Sequence, residues 1–216
     1  EPPWYDDEGI YAAVAHALTQ GAALYRDVAD NRPPGMYLIY ALMLGLSSAS
    51  VFAIKLGAAA AVLATQVTVF FIAWRLWNVR TAVVTAVLFG LLASLPVLEG
   101  NLANAEVFMA FPVALAMLLI IERRFFWAGV ALGGAFLIKQ IVGLELAACV
   151  TALLLFAPQV RRAILMLLAG FLVPTLGAVA GLAIVGVLGD FLFVGFGYYG
   201  IIDTSTNGTS FHGSDS

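Results

Sequence analysis

Ionisable side chains are scarce in this chain, and four short groups of them could do chemistry. The first is the acidic cluster Asp6-Asp7-Glu8. The second runs through Tyr25-Arg26-Asp27 and Asp30-Asn31-Arg32-Pro33-Pro34-Gly35. The third is the stretch from Glu99 to Glu106, which contains Asn104, and the fourth is Lys139-Gln140 with Glu145 close behind. A carboxylate near a hydroxyl can take its proton, and a lysine or arginine can stabilise an anion. The stretch Trp4 to Gly35 therefore reads as half of an active site, with Glu106 and Lys139 as the other half. Each group also has a plainer reading. The acids can cap a helix. Arg26 and Arg32 can pair with Asp27 and Asp30 for ~0–1 kcal/mol. Glu106 can sit in a solvated loop, and Lys139 can snorkel between two helices, which avoids the ~2.5–3.5 kcal/mol of a mid-membrane lysine.

Other chemistry has little footing. No CxxC, HExxH, GxxxxGK[ST] or GxSxG pattern is present, so the common soluble-enzyme motifs are missing. His16 and His212 are too far apart to suggest a histidine metal site, and no metal or other cofactor is expected. Cys149 lies in an apolar run and reads as a small buried hydrophobe. Asn207-Gly208-Thr209 fits a glycosylation sequon on three residues alone.

The elements that must position these groups are apolar. The 216 residues are 62% hydrophobic and 11% charged, with a mean hydropathy of +1.00. A soluble domain carries roughly 25% charged residues, so the composition points to an all-α, polytopic membrane helix bundle. A nucleic-acid partner is not expected; membrane lipids are. Tyr11, Val14, Ala15 and Leu18 form one stripe of a short amphipathic helix that opens at Asp7-Glu8 and ends at Gly21. It is too short to span and reads as interfacial. Six apolar runs follow as spans: 51–74, 81–98, 107–121, 125–138, 141–157 and 164–188. The aromatic run Phe191 to Tyr199 reads as interfacial.

Arginines orient the bundle. Arg75 and Arg80, Arg123 and Arg124, and Arg161 and Arg162 fall in alternate loops, so they share a face, and the positive-inside rule makes it cytoplasmic. The opposite face receives Glu106, Lys139 and Asp190. Met36 to Leu46 decides where the first acids lie. Its shortness, against the about 20 residues that a span needs, places it in the outer interface, and Asp7 with it. The chain thus divides into an outer segment of interfacial helices at 1–50, a bundle at 51–188 and an outer-face segment at 189–216.

Together these residues resemble the GT-C membrane glycosyltransferases that use polyprenyl-phosphate sugars, most closely glycosyltransferase family 39, which includes protein O-mannosyltransferases and lipid A aminoarabinose transferases. The resembling pieces are Asp7-Glu8-x-x-Tyr11, Tyr25-Arg26-Asp27 with Asp30 to Gly35, Asn104-Ala105-Glu106-x-Phe108, and Gly133 to Lys139. The resemblance implies a GT-C-like bundle in a plasma (inner) membrane, of which this chain is an N-terminal fragment, with its active site on the extracytoplasmic face. It implies Asp7, Glu8 and Glu106 as catalytic, and Tyr11, Arg26, Arg32, Asn104, Lys139 and Gln140 as substrate-binding. The donor is a polyprenyl-phosphate sugar; the acceptor is a hydroxyl on a protein, lipid or glycan. Glu106 stands where relatives often carry Asp, and Arg32 where they often carry Lys. The competing expectation is a transporter or flippase of a lipid-linked or anionic solute, with Lys139 and Glu145 facing a central path. A non-catalytic assembly subunit is a third reading, and it would tolerate neutralisation of Asp6 to Glu8.

Overall fold

A computed structural model describes residues 6–28, 30–46, 51–95, 102–156 and 159–194. Glu99, the side chain of Asp6, the end of the aromatic run beyond residue 194 and the sequon at Asn207 lie outside the described residues. Within the described residues the chain is all helical, and its one β-type feature is an isolated bridge between Leu24 and Val28. The helices are α1 (Asp6–Thr19), α2 (Gly35–Leu46), α3 (Val51–Leu76), α4 (Val79–Ala93), α5 (Ala105–Ile121), α6 (Phe125–Ile138), α7 (Val142–Phe156), α8 (Val160–Val185) and α9 (Leu188–Leu192).

Helix boundaries follow local chemistry. Asn78 and Asn104 cap α4 and α5, each accepting a hydrogen bond from a first-turn amide, at 3.0 and 3.3 Å. Gly21 and Gly186 follow α1 and α8 with φ of 93° and 77°, the left-handed geometry that closes a helix. Each of the six apolar runs is a helix. Two of them, α3 and α8, are long and apolar enough to cross a membrane. At 26 residues each reaches about 39 Å, past the ~30 Å hydrocarbon core. The others have 14 to 17 residues.

Helices α6 and α8 pack most intimately. Gly129 and Gly133 of α6 face the backbone of Leu167 and Phe171, and Gly170 of α8 faces the backbone of Phe126 and Val130. A Cβ on Gly129 or Gly170 would lie 2.0 or 1.9 Å from a carbonyl oxygen, so glycine is required. This is the small-residue contact of helices whose outer faces are apolar. The paired positions rise together along both helices, so α6 and α8 run parallel. Outward faces are apolar too: Leu63, Val84, Leu91, Leu155, Leu172 and Ile184 are all exposed.

The bundle has two chemically distinct ends. Arg75, at the close of α3, pairs with Glu122, at the close of α5, at 2.8 Å. Arg123, Arg124 and Arg162 line one groove. The arginines of the alternate loops are therefore gathered at one end, as their spacing predicts. The other end carries the start of α3, the start of α5 and the close of α6, covered by α1 and α2. Helix α2 starts against the backbone of Leu137 and Ile138 at the close of α6, and its Met43 meets Gly57, in the second turn of α3. Twelve residues give about 18 Å, short of the ~30 Å hydrocarbon core.

Candidate active site

Helix α1 presents consecutive acids to different surroundings. Glu8 shares a face with Tyr11 and Ala15, the face pressed into the core, and is 2% exposed. Its Oε1 and Oε2 accept from Lys55 Nζ at 2.7 and 3.0 Å, and Oε1 also accepts from the backbone N–H of Ala103. One carboxylate thus ties α1 to α3 and to the segment before α5. Asp7 turns outward. Its side chain is half exposed, and Oδ1 accepts from Arg32 Nη2 at 3.0 Å.

Arg32 is held from three sides. Its guanidinium carbon sits 5.0 Å from the centroid of the Tyr11 ring, a cation–π distance. Its carbonyl accepts from the Tyr25 hydroxyl at 2.9 Å. Its Nη1 is buried and has no hydrogen-bond partner among the described residues. A buried unpaired donor costs ~1–3 kcal/mol, and more on a charged group. Tyr25 adopts φ of 70°, a left-handed conformation that non-glycine residues avoid, and its ring lies 4.9 Å from that of Phe191. That strained turn fixes the backbone leading to Arg32.

The second pair comes from distant sequence. Glu106 stands in the first turn of α5, and Lys139 caps α6 in an extended conformation that projects it from the helix. Their side chains form an ion pair, and both are partly exposed. Tyr11 links this pair to the first. Burial pushes its hydroxyl up to about 12; Arg32 opposes this, while Asp7, Glu106 and Asp30 add to it. Charges from α1, the 21–34 loop and α5 therefore all act on one buried phenol. The Tyr11 ring packs edge-on against Tyr37 at 5.9 Å and Tyr40 at 5.6 Å, and the Tyr40 hydroxyl donates to the Ala103 carbonyl. The Tyr37 hydroxyl is buried near Asp30 without closing a well-formed hydrogen bond. Burial first, then Asp30, holds it well above the ordinary phenol range.

The expected site residues thus separate. Asp7 and Arg32 pair beside Tyr11, Glu106 pairs with Lys139, and the charge of Glu106 is felt at Tyr11. Glu8 is buried in a structural tie, so its geometry suits holding the site and not meeting substrate. The Oδ1 of Asn104 is committed to capping α5. Arg26 is drawn away to α8 and α9, where it donates to Asp190 at 3.2 Å and to the Gly186 carbonyl. Gln140 is exposed, and its carbonyl accepts from the Gly143 amide in the turn before α7. Sequence reading missed Lys55 and gave Tyr25, Tyr37 and Tyr40 no role of their own. Lys55 had a signal: a lone charge within an apolar span asks for a partner.

Among the described residues no three His, Cys, Asp or Glu side chains group as metal ligands. The arrangement can accept a proton at Asp7 and bind an anion at Arg32 and Lys139. Compared with known proteins, the chain matches no family model, no curated protein and no solved structure.

Proposed function

We propose that this chain is part of a membrane glycosyltransferase that moves a sugar from a polyprenyl-phosphate carrier to an acceptor hydroxyl. The observation that carries this reading is the convergence of two acid–cation pairs, Asp7–Arg32 and Glu106–Lys139, about the buried Tyr11. The resemblance to family 39 names the same residues. Under the positive-inside rule the arginine end faces the cytoplasm, and the site faces the other side of the membrane.

In this scheme Asp7 takes the proton of the acceptor hydroxyl as its oxygen bonds to the anomeric carbon. The bond from that carbon to the phosphate oxygen breaks, and its electron pair leaves with the polyprenyl phosphate. Arg32 and Lys139 bring positive charge to the phosphate, so both act on charge that grows in the transition state. Glu106, held by Lys139, orients the acceptor. Tyr11 remains a neutral hydrogen-bond donor at physiological pH, since its ionisation lies near 12. Glu8 and Tyr25 are positioning residues.

The test is transfer from a polyprenyl-phosphate sugar by the full-length protein. Asp7→Asn should lower kcat by roughly 10²–10⁴-fold, the usual worth of a general base. Full activity in that variant ends the assignment.

A transporter reading draws on one observation: Glu145 Oε2, in the first turn of α7, is buried with no hydrogen-bond partner among the described residues. Against it, Lys139 pairs with Glu106 and not with Glu145. If solute uptake falls in Glu145→Gln while Asp7→Asn leaves it intact, transport becomes the better account.

A further inference from the structure

At the arginine end, the first turns of α6 and α8 converge on one groove of about 560 Å³. Arg123, Arg124 and Arg162 line it, together with Gln159, Trp127 and Met166. Because α6 and α8 run parallel, both bring their positive dipole ends to the groove. Neither helix start is capped by a side chain: Arg124 and Gln159, at the two N-cap positions, make no such bond. The amides of both first turns have no intrahelical partner. Negative charge is scarce there. Glu122 is the one acid at this end among the described residues, and it is already shared between Arg75, at 2.8 Å, and Arg124, at 3.7 Å.

Arg123 adds a conformational argument. Helix α5 ends in a turn in which Arg123 N–H bonds to Ile120 and Arg124 N–H to Leu119, at 2.9 and 2.8 Å. The left-handed position of such a turn ordinarily belongs to glycine, yet here it is Arg123, with φ of 59°. A non-glycine residue there costs ~1–2 kcal/mol, so the arginine is kept against a local penalty. Its side chain lines the groove. Trp127, 60% exposed, stands at the groove, and Trp74 and Trp77 lie exposed at the same end of the bundle. Exposed indoles at a helix end are enriched at the boundary between hydrocarbon and headgroup.

We infer that this groove is a binding site for the phosphate headgroup of an anionic phospholipid of the leaflet at the arginine end. The arginines and helix starts take the phosphate, and Trp127 and Met166 flank the first carbons of the acyl chains. Basic pockets between membrane helices recognise such headgroups by this charge complementarity. The inference rests on the membrane reading of the bundle but not on the chemistry at the opposite end, so its test leaves sugar transfer aside.

The full chain, purified in a neutral detergent, should rise in Tm with phosphatidylglycerol or cardiolipin and not with phosphatidylcholine. Native mass spectrometry should find anionic lipid retained. Arg123→Gly relieves the strained turn, so it should fold at least as well as the parent while binding anionic lipid more weakly. Combined with Arg162→Gln, it should weaken binding roughly tenfold or more. Arg162→Lys should keep most of it. Equal retention by the parent and the Arg123→Gly, Arg162→Gln pair would overturn the inference. So would a Tm rise with millimolar inorganic phosphate that matches the lipid effect, because the source would then be a soluble anion.

Discussion

Glu8 and Asp7 are neighbours on one helix turn with opposite roles, and the difference lies in what each touches. Glu8 is buried against Lys55 and the Ala103 amide, so removing either partner strands a charge. Lys55→Met should therefore destabilise the fold by about 3 kcal/mol, the low end for a broken buried pair, because Lys55 keeps 36% of its side chain exposed. Thermal unfolding in detergent reads this, and residual transfer activity should fall in step with the folded fraction. The tyrosines give a pH signature. The folded state holds Tyr11 at about 12 against the ordinary 10.0, so it keeps a proton that the unfolded chain gives up. Stability from Tyr11 is thus complete below pH 10 and is lost as pH rises through 12, by about 2–3 kcal/mol at the end. Tyr25 and Tyr37, also pushed up by burial, act in the same direction. Alkaline titration of stability should show this fall, and Tyr11→Phe should blunt it.

At the scale of elements, the contact of α6 with α8 is the closest helix approach that the glycines mark. Gly170→Leu would drive a side chain into the Phe126 carbonyl, where even a Cβ lies 1.9 Å away. The helices must part, and Tm should drop sharply, whereas Gly177→Leu, which meets open space, should be nearly neutral. Helix positions were legible in the sequence because long apolar runs broken by arginine, proline and asparagine leave few alternatives. The orientation of each helix about its axis was not. Periodicity fades when a helix is apolar all round, so nothing marked Lys55 as turned toward Glu8, a partner 47 residues away. Helix α1 is different: its stripe of Tyr11 and Ala15 puts Glu8 on the buried face and leaves Asp7 beside it, a distinction the spacing carried and the sequence reading did not draw. Arg26 was misplaced for a related reason. Its nearest acid in sequence is Asp27, but that carboxylate accepts from the Ala23 amide, and Arg26 reaches Asp190 instead.

For the molecule as a whole, charge sidedness is the property that organises the rest. Acids and both lysines of the candidate site gather at one end, and arginines with exposed tryptophans at the other. The proposed topology predicts labelling from opposite sides of a sealed membrane. Cys149 is buried and contributes little background. Gln140→Cys should react with an impermeant maleimide from outside intact cells, and Arg80→Cys only after permeabilisation. Labelling of both from the same side would dismantle the bundle order inferred from the arginines.

The tie between Arg26 and Asp190 spans 164 residues of sequence. A chain emerging from the ribosome makes the 21–34 loop first and its anchor last. Until Asp190 has been made, nothing at α8 or α9 holds Arg26. The contacts of Arg32 with Asp7, Tyr11 and Tyr25 need only the first 32 residues, so the two arginines of this loop are secured at different times in synthesis. A nascent chain arrested before residue 186 would carry Asp7, Arg32, Glu106 and Lys139 but not the tie of Arg26 to Asp190.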